Sequence, residues 1–160
     1  VVTLNKNPHL RRFSLFQGLD SHELERVGRL CGSRSFAVGE ICQSEGRVSD
    51  RVHFIVSGKI GALLQVPGDS PGAAQIVVDT LGPGDLFGWS ALIKGSAWST
   101  LRVLERTEAL YAEADELLAL CQADHHLGFI LMRNLAALAA QRLRLHRVSI
   151  LKSIIAIKGD

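Results

Sequence analysis

Between residues 33 and 113 the chain runs through seven short apolar stretches: SRSFAV, ICQS, RVHFIV, KIGALLQV, AQIVVDTL, TLRVL and EALYAEA. All but the last break between them contain glycine, at Gly39, Gly46 and Gly58, in the PGDSPG stretch from Pro67 to Gly72, and in the LGPGD stretch from Leu81 to Asp85. Strand-length runs recurring every 8–12 residues or so, with a turn signal between them, describe a sheet that keeps folding back on itself. Glycine supplies the backbone freedom such reversals require. The pattern predicts an antiparallel sandwich or roll and leaves little room for crossover helices between parallel strands.

Both flanks of this region are helical. Ahead of it, residues 19–31 place Leu24, Val27 and Leu30 at helical spacing behind Asp20 and Glu23, which stand in capping-box order. Behind it, from Ala114, the chain is free of proline to its end, and Gly128 is the one strong breaker before residue 153. The spacing predicts a short helix near 115–122, a bend around 123–126 and a long helix to about Ser153. Along that helix Leu127, Leu131, Leu135, Leu138, Arg142, Leu145 and Ser149 recur at steps of three and four, forming a stripe that needs a covering surface. Two surfaces qualify, the roll of the same chain or a second copy. The length of the helix favours the second copy, in a parallel two-fold dimer with Leu131, Leu135, Leu138, Arg142 and Leu145 as its seam. Residues 67–74 read as the tip of a hairpin.

Bulk properties narrow the function classes. A chain of 160 residues fits one domain that buries roughly 70% of its unfolded surface, so 1–160 is read as a single unit. Apolar residues are 47% and charged residues 21%, which excludes a disordered chain. No apolar run approaches the ~18 residues of a membrane span, and the N-terminus lacks the pattern of a secretory signal, so the cytoplasm is the expected compartment. The net charge of +2 comes from cations interspersed with acids, which argues against nucleic acid as a partner. Cys31, Cys42 and Cys121 fit neither a disulfide framework nor the spacing of a metal site, and read as reduced packing residues.

The chain also lacks GxSxG, GxxxxGK[ST] and HExxH, and the adjacent His125 and His126 diverge by about 100° on a helix, so neither an enzyme nor a metal centre is expected. His53, His146 and Cys42 are of iron-ligating type, but no CxxCH accompanies them.

Three runs carry a family resemblance: FAVGEICQSEGRVSDRVHFIVSGKI, LGPGDLFGWSAL and MRNLAALAAQRL. Together they resemble the cyclic-nucleotide-binding domain family, in particular the bacterial cyclic-AMP receptor protein group, over about residues 10–150. The resemblance implies a mainly β fold with helices (α+β), namely a double-stranded antiparallel β-roll of jelly-roll type over 33–113. A short N-terminal helix (19–31) and C-terminal helices (114–153) flank it. It also implies a regulatory module with a small-molecule effector, no cofactor and a homodimer through the last helix.

In that family the second run begins the phosphate-binding cassette, whose Glu takes a ribose hydroxyl and whose Arg takes the cyclic phosphate. The resemblance therefore places the candidate site at Phe87, Gly88, Trp89, Ser90, Ala91, Leu92, Ser99 and Thr100, with His146 and Arg147 on the helix side of the pocket. Trp89 stands where the family has its Glu, and Ser99 where it has its Arg. Losing one hydrogen bond to a charged group costs ~1.5–3 kcal/mol, so losing both predicts cyclic AMP and cyclic GMP binding two to four powers of ten weaker. Lys94 is the nearest candidate for a substitute cation, because Arg102 falls on the opposite strand face. Trp89 and Trp98 read either as filling for the pocket or as an aromatic wall for a flat ligand.

Three functional readings stay open. One is a sensor of an altered ligand, and another is a ligand-free dimerisation unit. The third is a transcription regulator whose helix-turn-helix lies outside this chain, since LKSIIAIKGD is too short to hold two helices and a turn.

Overall fold

The computed structural model describes residues 7–65 and 75–157, with side chains for 8–64 and 75–144. The tip expected at 67–74 lies outside the described residues, as do the side chains of Leu145, His146, Arg147 and Ser149.

A short helix α1 (Asn7–Leu10) and a 3-10 turn (Ser14–Phe16) open the described chain, followed by α2 (Ser21–Leu30). Both halves of the capping box form at the start of α2. The Glu23 N–H donates to Asp20 Oδ1 at 2.8 Å, and the Asp20 N–H donates to Glu23 Oε2 at 2.8 Å. Six strands follow among the described residues: β1 (Gly32–Phe36), β2 (Ile41–Gln43), β3 (Arg51–Gln65), β4 (Gln75–Leu81), β5 (Leu86–Phe87) and β6 (Thr100–Glu113).

Every pairing is antiparallel. The order is β1-β6-β3-β4, with β2 added against β6 and β5 against β3. The long β3–β6 ribbon is the backbone of the roll, and its register shifts between Ile55 and Ile60. Bulges of this kind bend a strand and raise its twist, which lets one ribbon serve both halves of the roll.

Alternation along β3 divides the core in two. Val52 and Phe54 point to one side, where they meet Leu10, Phe13, Leu15, Phe16, Leu24, Leu117, Leu127, Ile130, Leu131 and Leu135. Ile55 points into the roll, where it meets Phe36, Ile60, Leu81, Phe87, Leu101 and Val103. The segment before α2 thus supplies four fully buried side chains, Leu10, Phe13, Leu15 and Phe16.

Two helices end the described residues, α3 (Ala114–Ala123) and α4 (His125–Ile157). Asp124 separates them, and its carboxylate accepts the Leu127 N–H at 3.1 Å to cap α4. Gly128 lies inside α4 and does not break it. A Cβ there would stand 2.6 Å from the Cys121 carbonyl oxygen, so glycine is what allows α3 and α4 to approach.

The expected dimer seam requires correction. Leu131 and Leu135 are 0% and 4% exposed within a single chain, and Leu138 packs half-buried against the same core. Arg142 reaches the roll of its own chain, 3.2 Å from Asp79 and 3.7 Å from Asp85. The stripe is the face of α4 that covers its own domain. Among the described residues of α4, the large apolar side chains left exposed are Phe129 and Leu143, on another face.

Candidate ligand site

The run from Leu81 folds as a tight turn, the short strand β5 and a 3-10 helix from Trp89 to Ile93. Gly88 joins the last two with φ +76°, and a Cβ there would collide with the Arg51 carbonyl oxygen. The sharp reversal therefore depends on glycine at this position.

Ser90, Ala91 and Leu92 are buried, and Ala91 and Leu92 belong to the helix-side core. Trp89 packs half-buried against that core, while Trp98 is 52% exposed and meets it edge-on at 5.1 Å. The two indoles thus divide the readings between them: Trp89 fills space, and Trp98 faces outward.

The polar groups around the end of the run are engaged in bonds within the domain. Ser99 uses its carbonyl to accept from Gln43 Nε2 at 2.9 Å, and the Thr100 hydroxyl accepts the Glu45 N–H at 3.1 Å. The two bonds tie the end of the run to the last residue of β2 and to the segment that follows it. Lys94, the expected substitute cation, is paired with Asp115 on α3. Arg102 donates to the Gln75 side chain at 2.6 Å. The backbone of His146 and Arg147 continues α4, and their side chains are outside the described residues.

A cavity of about 250 Å³ opens beside this run. Phe87 lines it, together with Cys42, Arg47, Asp50, His53 and Ala97. Of the cassette candidates with described side chains, Phe87 lines it, and so do His53 and Cys42, which the sequence offered as iron-ligating types. Its loop is held to the run by paired backbone: the Gly46 N–H donates to the Ala97 carbonyl and the Ala97 N–H to the Arg47 carbonyl, both at 2.8 Å.

His53 dominates the cavity's chemistry. It is 6% exposed, its ring stacks on Phe87 at 4.6 Å and meets Phe36 edge-on at 5.5 Å, and neither ring nitrogen has a hydrogen-bond partner among the described residues. Burial, reinforced by the guanidiniums of Arg34 and Arg51, pushes its pKa down to about 4, so the imidazole is neutral at pH 7. Those two arginines are themselves engaged. Arg34 pairs with Glu40 at 3.1 Å, and Arg51 pairs with Glu113 at 2.6 Å. Burial pushes the Cys42 thiol up to about 12, which keeps it protonated and unreactive as a nucleophile.

The strand pattern itself carries a signal for the burial of His53. In RVHFIV it occupies the same strand face as Ile55, the face that must enter the roll.

Other polar contacts tie α2 to the junction of α3 and α4. His126 Nδ1 lies 2.6 Å from the buried Glu23 carboxylate, and Arg26 pairs with Asp124 at 2.6 Å. Among the described residues no group of three or more His, Cys, Asp or Glu side chains is placed to hold a metal. No helix among them is long and apolar enough to cross a membrane.

The sequence profile described as "Cyclic nucleotide-binding domain" matches residues 33–124. The chain belongs to that family. Solved structures agree on the fold. A catabolite activator protein from Thermus thermophilus is 26% identical, with a TM-score of 0.68 over 89% of this chain and 63% of that one. The N-terminal domain of a transcriptional regulator from Streptomyces coelicolor A3(2) is 23% identical, with a TM-score of 0.68 over 89% of this chain and 94% of that one. A cyclic nucleotide-binding domain from Methylobacillus flagellatus KT is 16% identical, with a TM-score of 0.78 over 92% and 85%. No curated protein matches.

Proposed function

We propose that this chain is a non-catalytic sensor module that has given up the usual cyclic-nucleotide anchors and reads another small effector, signalling through α4 to a second copy. The observation that carries this reading is the pair Trp89 and Ser99. The first is committed to the core, and the carbonyl of the second is bonded to Gln43. Neither offers the carboxylate or guanidinium that a ribose hydroxyl and a cyclic phosphate require. Isothermal calorimetry is expected to find no binding of cyclic AMP or cyclic GMP at micromolar concentration. A micromolar or tighter constant for either nucleotide overturns the reading. The double change Trp89→Glu with Ser99→Arg is expected to restore part of the affinity.

The dimer is proposed on a different face from the stripe buried on the roll. Phe129 and Leu143 are 63% and 66% exposed, two heptads apart, with Ala136 and Ala139 at two of the intervening a and d spacings, while Met132 at the third packs partly against the domain's own core. Small residues between two large exposed ones let a second helix approach closely. Leu143→Glu is expected to give a folded monomer by sedimentation. A wild type that is already monomeric at tens of micromolar refutes the arrangement.

A second reading is supported by the match to the catabolite activator protein, of which this chain spans 63%. It makes the chain the sensory part of a transcription regulator. The length of the complete reading frame decides it.

A further inference from the structure

The joint between α3 and α4 is one extended residue, Asp124, with φ −130° and ψ 101°. So short a joint leaves the direction of α4 to whatever grips its two sides, and α2 supplies both grips. On one side Arg26 pairs with the Asp124 carboxylate at 2.6 Å. On the other, His126 Nδ1 lies 2.6 Å from Glu23 Oε1, while Oε2 of the same carboxylate accepts the Asp20 N–H at 2.8 Å. The two grips differ in kind. Arginine keeps its charge at every pH a folded protein meets, whereas histidine changes charge near neutrality.

The burial of Glu23 makes that difference matter. It is 5% exposed and stands in the first turn of α2 beside the buried Leu24 and Val27. A buried carboxylate is tolerated while a partner charge and hydrogen bonds compensate it, and removing the partner's charge leaves it uncompensated. Loss of a proton from His126 does this without changing a residue. The imidazole is open to that exchange, since its side chain is 65% exposed. The charged groups facing it are Glu23 and Asp20 at the start of α2 and Asp124 at the joint, with Arg26 already taken up by Asp124. These acids hold its pKa above the ordinary 6.5, Glu23 most strongly.

We propose that the α2–α4 junction is a proton-operated catch: with His126 charged, α4 is gripped on both sides of Asp124, and with His126 neutral the Glu23 grip weakens and α4 changes its direction against the roll. The side chains that seat α4 on the domain begin at Leu127, next to the imidazole, so a release at His126 acts at the root of the helix. No ligand takes part. The device therefore goes beyond the sensor reading and stands whatever the cassette takes.

Nuclear magnetic resonance on the whole chain tests it, with residual dipolar couplings recorded below and above the midpoint of the His126 imidazole titration. Above the midpoint the couplings of α4 are expected to lose their fit to the earlier orientation against the β3–β6 ribbon. Amide shifts of residues 134–144, about two turns or more from the imidazole, should move with the same midpoint. Glu23→Gln keeps an acceptor for the capping box but removes the charge, and should abolish both changes. His126→Lys, charged throughout and placed at an exposed position, should hold the low-pH orientation above the wild-type midpoint. A single orientation of α4 on both sides of the midpoint overturns the proposal, because a pair that only adds stability leaves the direction of the helix unchanged. So does a reorientation that persists in Glu23→Gln or in His126→Lys.

Discussion

The two faces of β3 are one residue apart in the chain and opposite in character. Val52 and Phe54, both 0% exposed, are covered by the helices, with Phe54 ringed by Phe13 at 5.3 Å and Phe16 at 5.0 Å. His53, between them, turns into the roll beside a cavity, and both its nitrogens are buried without a hydrogen-bond partner among the described residues. The helix-side face is closed and wholly apolar, so its packing stabilises the domain. The roll face keeps empty volume and a polar group at a cost in stability, as binding sites commonly do.

The comparison can be broken most directly at Phe54. Phe54→Ala is expected to lose about 3–5 kcal/mol in urea unfolding. A loss below about 1 kcal/mol would mean that the helical side is not the stabilising half.

The pH dependence set by His53 comes next. Its folded pKa of about 4 lies below the ordinary 6.5, so the unfolded chain takes up a proton first as pH falls. Stability present above pH 6.5 should therefore decline between pH 6.5 and 4, by on the order of 3 kcal/mol. His53→Phe sharpens the same point. It should flatten that decline and raise stability at pH 7 by about 1–2 kcal/mol, measured by the same unfolding curves.

The smallest effect has the opposite sign and lies at the helix junction. The hydrogen bond to Glu23 holds His126 above the usual imidazole range, so its contribution is complete below pH 6.5 and fades as pH rises through the raised value. His126→Gln should remove that alkaline-side decline. An unchanged profile would show that the pair contributes nothing.

Which parts were legible in the sequence follows from what local patterns encode. Asp20 and Glu23 announced the start of α2 because a capping box is complete within four residues. The glycine-punctuated runs announced the roll because each reversal leaves a local trace. Leu131 and Leu135 were rightly placed on one apolar stripe, but periodicity defines a face without saying what covers it. Here the cover is the segment from Leu10 to Phe16, too short to show any period of its own. Lys94 met the sequence requirement for a nearby cation, yet Asp115, 21 residues away, holds it. Arg47 and Asp50 attract no notice as surface charges, and only the folded loop brings them to the cavity beside His53.

One consequence of α4 concerns leverage. Its 33 residues extend about 50 Å, and the buried side chains that seat it on the domain, from Leu127 to Leu135, occupy only its first third. Arg142, held by Asp79 and Asp85, is the last strap described before the helix continues to Ile157. A tilt of about 10° at Asp124 would carry the far end through roughly 9 Å at that length. On the signalling proposed above, a rearrangement of an ångström near the roll would be magnified several-fold at Ile157, and the Arg142 contacts to the two aspartates would have to give for it to pass.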